Sequence, residues 1–216
     1  MKRRIERTAD DRFSLPVESI AEGQRLARRL SGTPGCVEAV GGVAVVELQF
    51  DLAAVTPERF LEDLGSQIDA ACEAARDQKA PAGARLVIPV HYGGSDGPDL
   101  RLVSRHLGMS DDEFVAWHCR IEYRVAMLGF TPGFAYLDGL DPALAVPRRS
   151  TPRQSVPAGS VGLAGPRCGI YSLPGPGGWQ IVGRTNTQLF DRDAERPFRL
   201  APGDTVCFQA ADRGRS

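Results

Sequence analysis

The sequence predicts an α+β protein, with a small two-layer α/β domain over residues 1–84 followed by a β-barrel domain over residues 85–216. Three observations lead there. Between residues 127 and 185, glycine, proline and β-branched residues alternate so closely that no helix of ordinary length fits between the breakers. Turn sequences in that stretch (TPGF, LDPAL, VPAGS, AGPRCG, PGPGG) recur at the short intervals of a small closed or nearly closed barrel. Before residue 85, helical and strand periodicities are mixed instead, and KAPAGA, residues 79–84, is the segment best suited to link the two parts.

Residues 5–8 and 12–17 read as short strands. AEGQRLARRL, residues 21–30, places Ala21, Leu26, Ala27 and Leu30 on one side of a short helix that Ser31-Gly32 ends. Over residues 37–52, Ala44, Val46, Leu48 and Phe50 alternate with Glu47, Gln49 and Asp51, so the stretch is either two strands around Gly41-Gly42 or one long strand with a bulge. Thr56-Pro57 opens a second helix, a hydroxyl cap before a proline at the first helical position, with Phe60, Leu61, Leu64, Ile68, Ala71 and Cys72 as its apolar stripe. In the second domain RLVIPVHY, residues 85–92, is a strand, and GGSDGPDL leads into a helix over 98–107. Ser110 and Glu113 form a capping box for a further helix to about residue 120. That helix pair has the outline of a helix-turn-helix with Gly108 in the turn. Its second member, DDEFVAWH, opens with three acids where a reader of base edges would present Arg, Lys, Asn or Gln.

Composition narrows the function. The chain has 216 residues, 42% of them hydrophobic, enough for a buried core. Its net charge is -1 with the basic residues dispersed, which argues against a nucleic-acid partner. No apolar run approaches the roughly 20 residues that span a bilayer. The start MKRRIERTADD lacks the apolar core of a signal peptide, so neither a membrane nor an export route is expected and the cytoplasm is the expected compartment. Five cysteines, at 36, 72, 119, 168 and 207, form no CxxC pair and read as reduced thiols. With three histidines dispersed, no metal site is expected, and without a GxxxxGK[ST] segment a nucleotide would not be held by a P-loop here.

Arg148, Arg149 and Arg153 lie within six positions and repel one another unless an anion is near. They are therefore candidates to hold a substrate carboxylate or phosphate, the other possibility being a solvated basic loop; truncating Arg149 or Arg153 would then change folding by less than about 0.5 kcal/mol. GFTPGFAY supplies Phe130, Pro132, Gly133, Phe134 and Tyr136, either as the wall of a pocket for a small planar substrate or as a core turn. Gly159, Ser160 and Gly162 offer a hydroxyl and close-approach amides for a carboxylate or oxyanion, without the strand-turn-helix context of a nucleophile elbow. Gln180, next to Trp179, would close the pocket. His118 falls in the last turn of the capped helix, where an imidazole serves either as acid, base or donor, or as a helix cap packing on Trp117 or Tyr123.

HYGGSDGPDL, the long run from EYRVAMLGFTPGFAYL through PRRSTPRQSVPAGSVG to GPGGWQIVGRT, and LAPGDTVCF together resemble the KipI / allophanate hydrolase subunit-one family over residues 88–208. The resemblance implies a cyclophilin-like barrel preceded by a small α+β domain, with His118 matching the family's histidine before the YRV segment. It further implies one subunit of an ATP-dependent amidohydrolase, similar to the B subunit of the bacterial 5-oxoprolinase, opening 5-oxoproline or a related cyclic amide. Catalytic roles would fall to His118, Arg149 and Arg153, and ATP would be bound by the complex. A second carboxyltransferase-type barrel subunit, C-like, and a further A-like subunit would be the partners. The family also holds an inhibitor of a sporulation histidine kinase and half of the carboxyltransferase region of urea carboxylases. A regulator, or a carboxylase half receiving biotin from another chain, are thus the alternatives. The N-terminal part departs from the family: members open with a GDxALLVEFG-like segment where this chain has TADDRFSLPVES.

Overall fold

Alternation of side chains builds the sheet of the first unit. In the computed structural model, which describes residues 4–42, 44–77 and 83–211, the chain divides into two units, Met1–Ala80 and Pro81–Ser216. Residues 78–82, and with them most of the KAPAGA segment, lie outside the described residues. Strands β1 (Glu6–Ala9), β2 (Arg12–Pro16), β3 (Cys36–Gly41) and β4 (Val45–Phe50) form an antiparallel sheet in the order β1-β2-β4-β3. The stretch 37–52 is thus a hairpin of two strands. The register Phe13↔Leu48 and Leu15↔Val46 sets four apolar side chains on one face, and helices α1 (Ile20–Leu30) and α2 (Pro57–Asp77) add Leu26, Leu30, Phe60 and Leu64 to the same core. The rings of Phe13, Phe50 and Phe60 stack with centroids 4.8 to 6.0 Å apart. Each such side chain taken out of water contributes about 1.5–3 kcal/mol.

Ser19 caps α1 by accepting from Glu22 N at 3.2 Å, so the helix starts one residue earlier than its apolar spacing suggested. Gly41 ends β3 because a Cβ there would meet the backbone of Gly23 and Gln24. Thr56 accepts from Arg59 N at 3.3 Å and caps α2 as expected. Leu61 does not belong to the apolar stripe: it is 38% exposed, one position off the buried line of Phe60, Leu64 and Ile68. The side chains of Ala21, Ala71 and Cys72 lie outside the described residues.

The second unit is a closed barrel with two helices against it. Its elements are β5 (Arg85–Tyr92), α3 (Leu100–His106), α4 (Asp111–Arg120), β6 (Glu122–Leu128), β7 (Ala135–Asp138), β8 (Arg153–Val156), β9 (Ser160–Ala164), β10 (Arg167–Ile170), β11 (Gly175–Gly177), β12 (Gln180–Arg184) and β13 (Thr205–Ala210). The barrel order is β10-β7-β6-β13-β5-β12-β9, with β9 returning to β10, while β8 and β11 form a separate two-stranded ribbon. Every barrel pairing is antiparallel except β5 with β13, which run parallel from Arg85↔Thr205 to Val90↔Ala210. Part of the expected PGPGG loop is therefore strand β11.

The barrel core holds Ile88, Val90, Val125, Leu137, Val161, Leu163 and Ile170, and α4 adds Phe114 to it. Ser110 and Glu113 make the expected reciprocal capping box of α4. Instead of presenting a face for DNA, α4 packs His118 onto Phe208 of β13, ring centroids 4.8 Å apart. Cys36, Cys119, Cys168 and Cys207 are free thiols. Among the described residues no helix is long and apolar enough to cross a membrane.

Candidate functional site

Asp99 stands where α3 begins, yet its side chain does not cap that helix. Oδ2 accepts from the Ile181 amide at 2.7 Å, and Oδ1 accepts from Arg153 Nη2 at 2.9 Å and Arg149 Nη1 at 3.3 Å. The carboxylate side chain is only 7% exposed. The helix begins at Leu100, two residues later than expected, with the Asp99 carbonyl accepting from Leu102 and Val103 N while its side chain serves the ion triad. Around it the segment 147–153 is fastened to β12: Arg149 N donates to Gly178 O, Arg153 Nη1 to Trp179 O and Gln180 Nε2 to Pro147 O, at 2.8, 3.5 and 3.1 Å.

Arg149 and Arg153, expected to hold a substrate anion, both have a carboxylate of this chain, Asp99, beside them, and their side chains remain 34% and 22% exposed. Arg148 differs. It is exposed, has no carboxylate partner among the described residues, and lies over the Trp179 ring, 6.0 Å from its centroid. Behind it Phe134, Tyr171 and Trp179 form a second buried cluster with half-buried Tyr136 against it. Phe134 makes edge-on contacts with Tyr171 and Trp179 at 5.0 and 5.6 Å. Burial raises the Tyr136 pKa, and the positive charges of Arg148 and Arg167 oppose the rise. Arg167 is itself paired with Asp138 at 3.1 Å.

His118 does not face a pocket. Its ring is fully buried, with Nδ1 2.8 Å from the Tyr92 hydroxyl and Nε2 3.7 Å from Cys168 Sγ. Rings of Phe114, Tyr123 and Phe208 surround it at 4.8 to 5.5 Å. Desolvation lowers its pKa to about 3. The structure thus places His118 in the packing of the barrel, where desolvation favours the neutral imidazole, and not beside an open groove.

The Gly159–Gly162 stretch, expected to bind a carboxylate or oxyanion, lies within the barrel. Gly159 N donates to Tyr171 O at 2.6 Å and Ser160 N to Pro157 O at 3.3 Å, while Gly162 sits in register between Gly169 and Ile181. These groups are buried barrel backbone, and the Gly159 and Ser160 amides are already paired. A Cβ at Gly159 would collide with the Thr185 carbonyl, which is why glycine stands there. In the GFTPGF turn, Phe134 and Gly133 point inward, Pro132 O accepts from Ser172 Oγ, and Phe130 is 61% exposed. Gln180 is 5% exposed and positions the Arg148 segment from within.

Sequence reading missed Asp99, since an acid just before a helix is ordinarily a cap. The signal was present in the three crowded arginines, which demanded a carboxylate. Two surface grooves border these elements, the first lined in part by Tyr92 and Leu100 and the second by Phe190, which packs against the turn at Gly133. One of about 650 Å³ runs between Gly93, Gly97, Arg101 and Asp112; another of about 860 Å³ lies along Leu189, Phe190, Pro197 and Phe198.

Residues 6–200 match the family described as carboxyltransferase domain, subdomain C and D. The chain belongs to this family. Within it, the chain is 42% identical over 190 residues to the 5-oxoprolinase B subunit of Escherichia coli O157:H7, covering 88% of this chain and 85% of that protein. It is 48% identical over 121 residues to the 5-oxoprolinase B subunit of Bacillus subtilis, 56% of this chain and 50% of that protein. The crystal structure of TTHA0988 superposes on 93% of this carboxyltransferase-domain chain with a TM-score of 0.75 and 37% identity; the chain spans only 40% of that longer polypeptide. The relatives at 42–48% identity are all named as B subunits of 5-oxoprolinases, and the match spans between 50% and 85% of their lengths.

Proposed function

We propose that this chain is the component of a cytoplasmic 5-oxoprolinase-type complex that binds the carboxylate of 5-oxoproline, or of a related small cyclic amide. Identity to the named B subunits supports the assignment to such a complex. The observation that carries the binding role is Arg148, the one arginine of its cluster without a carboxylate partner among the described residues. Its position over the Trp179 ring, 6.0 Å from the centroid, holds the guanidinium near that face without neutralising it. A carboxylate arriving beside Tyr136 would meet Arg148 in the bidentate geometry that guanidinium favours.

Opening an unstrained lactam is poorly driven in water, and coupling to ATP supplies the missing driving force. The pairing of Arg149 and Arg153 with Asp99, together with the lack of a P-loop sequence, supports placing ATP outside this chain. ATP is accordingly assigned to other subunits, and the role of this chain is substrate binding next to a C-like barrel subunit that completes the site, with an A-like subunit for the remaining chemistry.

The test is lactam-dependent ADP release by the assembled subunits, with this chain omitted as the control. Arg148→Ala is expected to raise KM for 5-oxoproline roughly 10- to 100-fold, the scale of a lost charge-assisted pair. Its melting temperature should stay within about 2 °C of the parent, because the side chain is exposed. An unchanged KM would remove Arg148 from the binding site, and absence of lactam-dependent turnover in the full assembly would remove the activity.

A further inference from the structure

Phe130 combines two features that folding alone does not favour. Its φ is +68°, the only non-glycine residue with positive φ among the described residues, and the Thr131 amide closes back onto Gly129 O at 2.8 Å. This is a γ-turn with positive φ at its centre, a rare and strained conformation in which a bulky side chain is an outlier. Rather than being repaid by burial, the ring is 61% exposed, with the Phe134 ring edge-on at 5.7 Å. The turn is held rigidly: Gly129 N donates to Phe134 O, Phe134 N to Thr131 O, and Ser172 Oγ to Pro132 O.

The turn adjoins the 860 Å³ groove. A Cβ on Gly133 would come within 2.8 Å of Phe190 Cβ, so the two loops are in direct contact. Phe190 pairs with Phe198 across an isolated bridge, rings 5.3 Å apart, and Phe198 is 49% exposed. Leu189 and Pro197 continue the apolar floor, and Glu195 and Arg196 stand at its edge. A fixed aromatic knob beside an apolar groove with a charged rim has the anatomy of a protein interface.

We infer that Phe130 and Phe198 anchor this chain to the C-like barrel subunit of its complex, which receives the Phe130 ring in an apolar pocket. The inference rests on the reading of the chain as one subunit of a hetero-oligomer. The occupant is a polypeptide for two reasons. The relatives at 42–48% identity are named as subunits, and in TTHA0988 the matched part accounts for only 40% of the chain, so further polypeptide is joined to the equivalent unit there. Strain at Phe130 is then retained because a rigid, outward ring loses little freedom on docking.

Binding of the full chain to its cognate C-type subunit is measured by titration for the parent, Phe130→Asn and Phe198→Ser. Asparagine tolerates positive φ while removing the ring, so Phe130→Asn should melt at or above the parent temperature. Each variant is expected to weaken the complex at least 10-fold. Unchanged affinity in both overturns the inference, as does a rise in KM for 5-oxoproline without loss of subunit affinity, which would make Phe130 a substrate wall. Self-association of the isolated chain that Phe130→Asn abolishes would also overturn it in favour of a second copy. If the parent binds the C-type subunit yet the assembly shows no lactam-dependent turnover, the docking surface stands and the proposed activity falls. If the assembly is active and both variants bind like the parent, the reverse holds.

Discussion

Replacing Asp99 with alanine is expected to destabilise the barrel unit by on the order of 3–5 kcal/mol, the usual cost of breaking a buried ion pair from one side. The carboxylate is 7% exposed and satisfies three donors from two separate stretches of chain, Arg149, Arg153 and the Ile181 amide. Without it, two guanidinium groups are left facing each other and a buried strand amide loses its acceptor, so the segment 147–153 should detach from β12. Among the arginines, Arg153→Ala should cost more than Arg149→Ala, since Arg153 makes the shorter contact, 2.9 against 3.3 Å, and is the less exposed, 22% against 34%. Urea unfolding followed by tryptophan fluorescence would measure all three variants. A loss under about 1 kcal/mol for Asp99→Ala would mean that the arginines are solvated, as the sequence alone allowed.

Acidification should destabilise the barrel through His118. In the folded protein desolvation lowers its pKa to about 3, whereas the unfolded chain titrates near 6.5. Between these values the unfolded state binds the extra proton, so stability is present above about pH 6.5 and is lost as pH falls towards 3. From pH 7 to pH 5 the loss from this one group is about 2 kcal/mol, since each unit of separation is worth 1.36 kcal/mol. His118→Asn should be less stable at pH 7, because Tyr92 and Cys168 each lose a contact with the ring, but its stability should fall less steeply between pH 7 and 5. Denaturant midpoints at both pH values give the comparison. Parallel pH dependence in parent and variant would show that the imidazole is accessible to protons.

Much of the fold was legible because its signals are local. The Val46, Leu48, Phe50 alternation, the Thr56-Pro57 start and the Ser110/Glu113 capping box each act within a few residues, and the structure has all three. The candidate site was less legible because its decisive contacts are long-range. Asp99 and Arg153 are 54 positions apart, and no periodicity links them. His118 misled for a related reason: the last turn of a helix ordinarily lies at the surface, and burial of its ring depends on Tyr92, Cys168 and Phe208 from three distant strands. Phe130 was placed in a pocket wall because aromatics flank the turn on both sides. Only the backbone angle at residue 130 separates it from Phe134, which is 1% exposed.

The parallel pairing of β5 with β13 sets the order in which this protein can fold during synthesis. The strand that opens the barrel at Arg85 hydrogen-bonds with one that starts at Thr205, so a ribosome must deliver 120 further residues before the barrel can shut. By then the first unit has long had all four of its strands, complete at Phe50. The nascent second unit meanwhile carries unpaired strand edges along β5 and β6, which invite chaperone binding or aggregation until the last strand emerges. Nascent chains stalled before residue 205 should therefore yield a protease-resistant first unit and a digestible second one, and resistance of both would show that the barrel forms without its last strand.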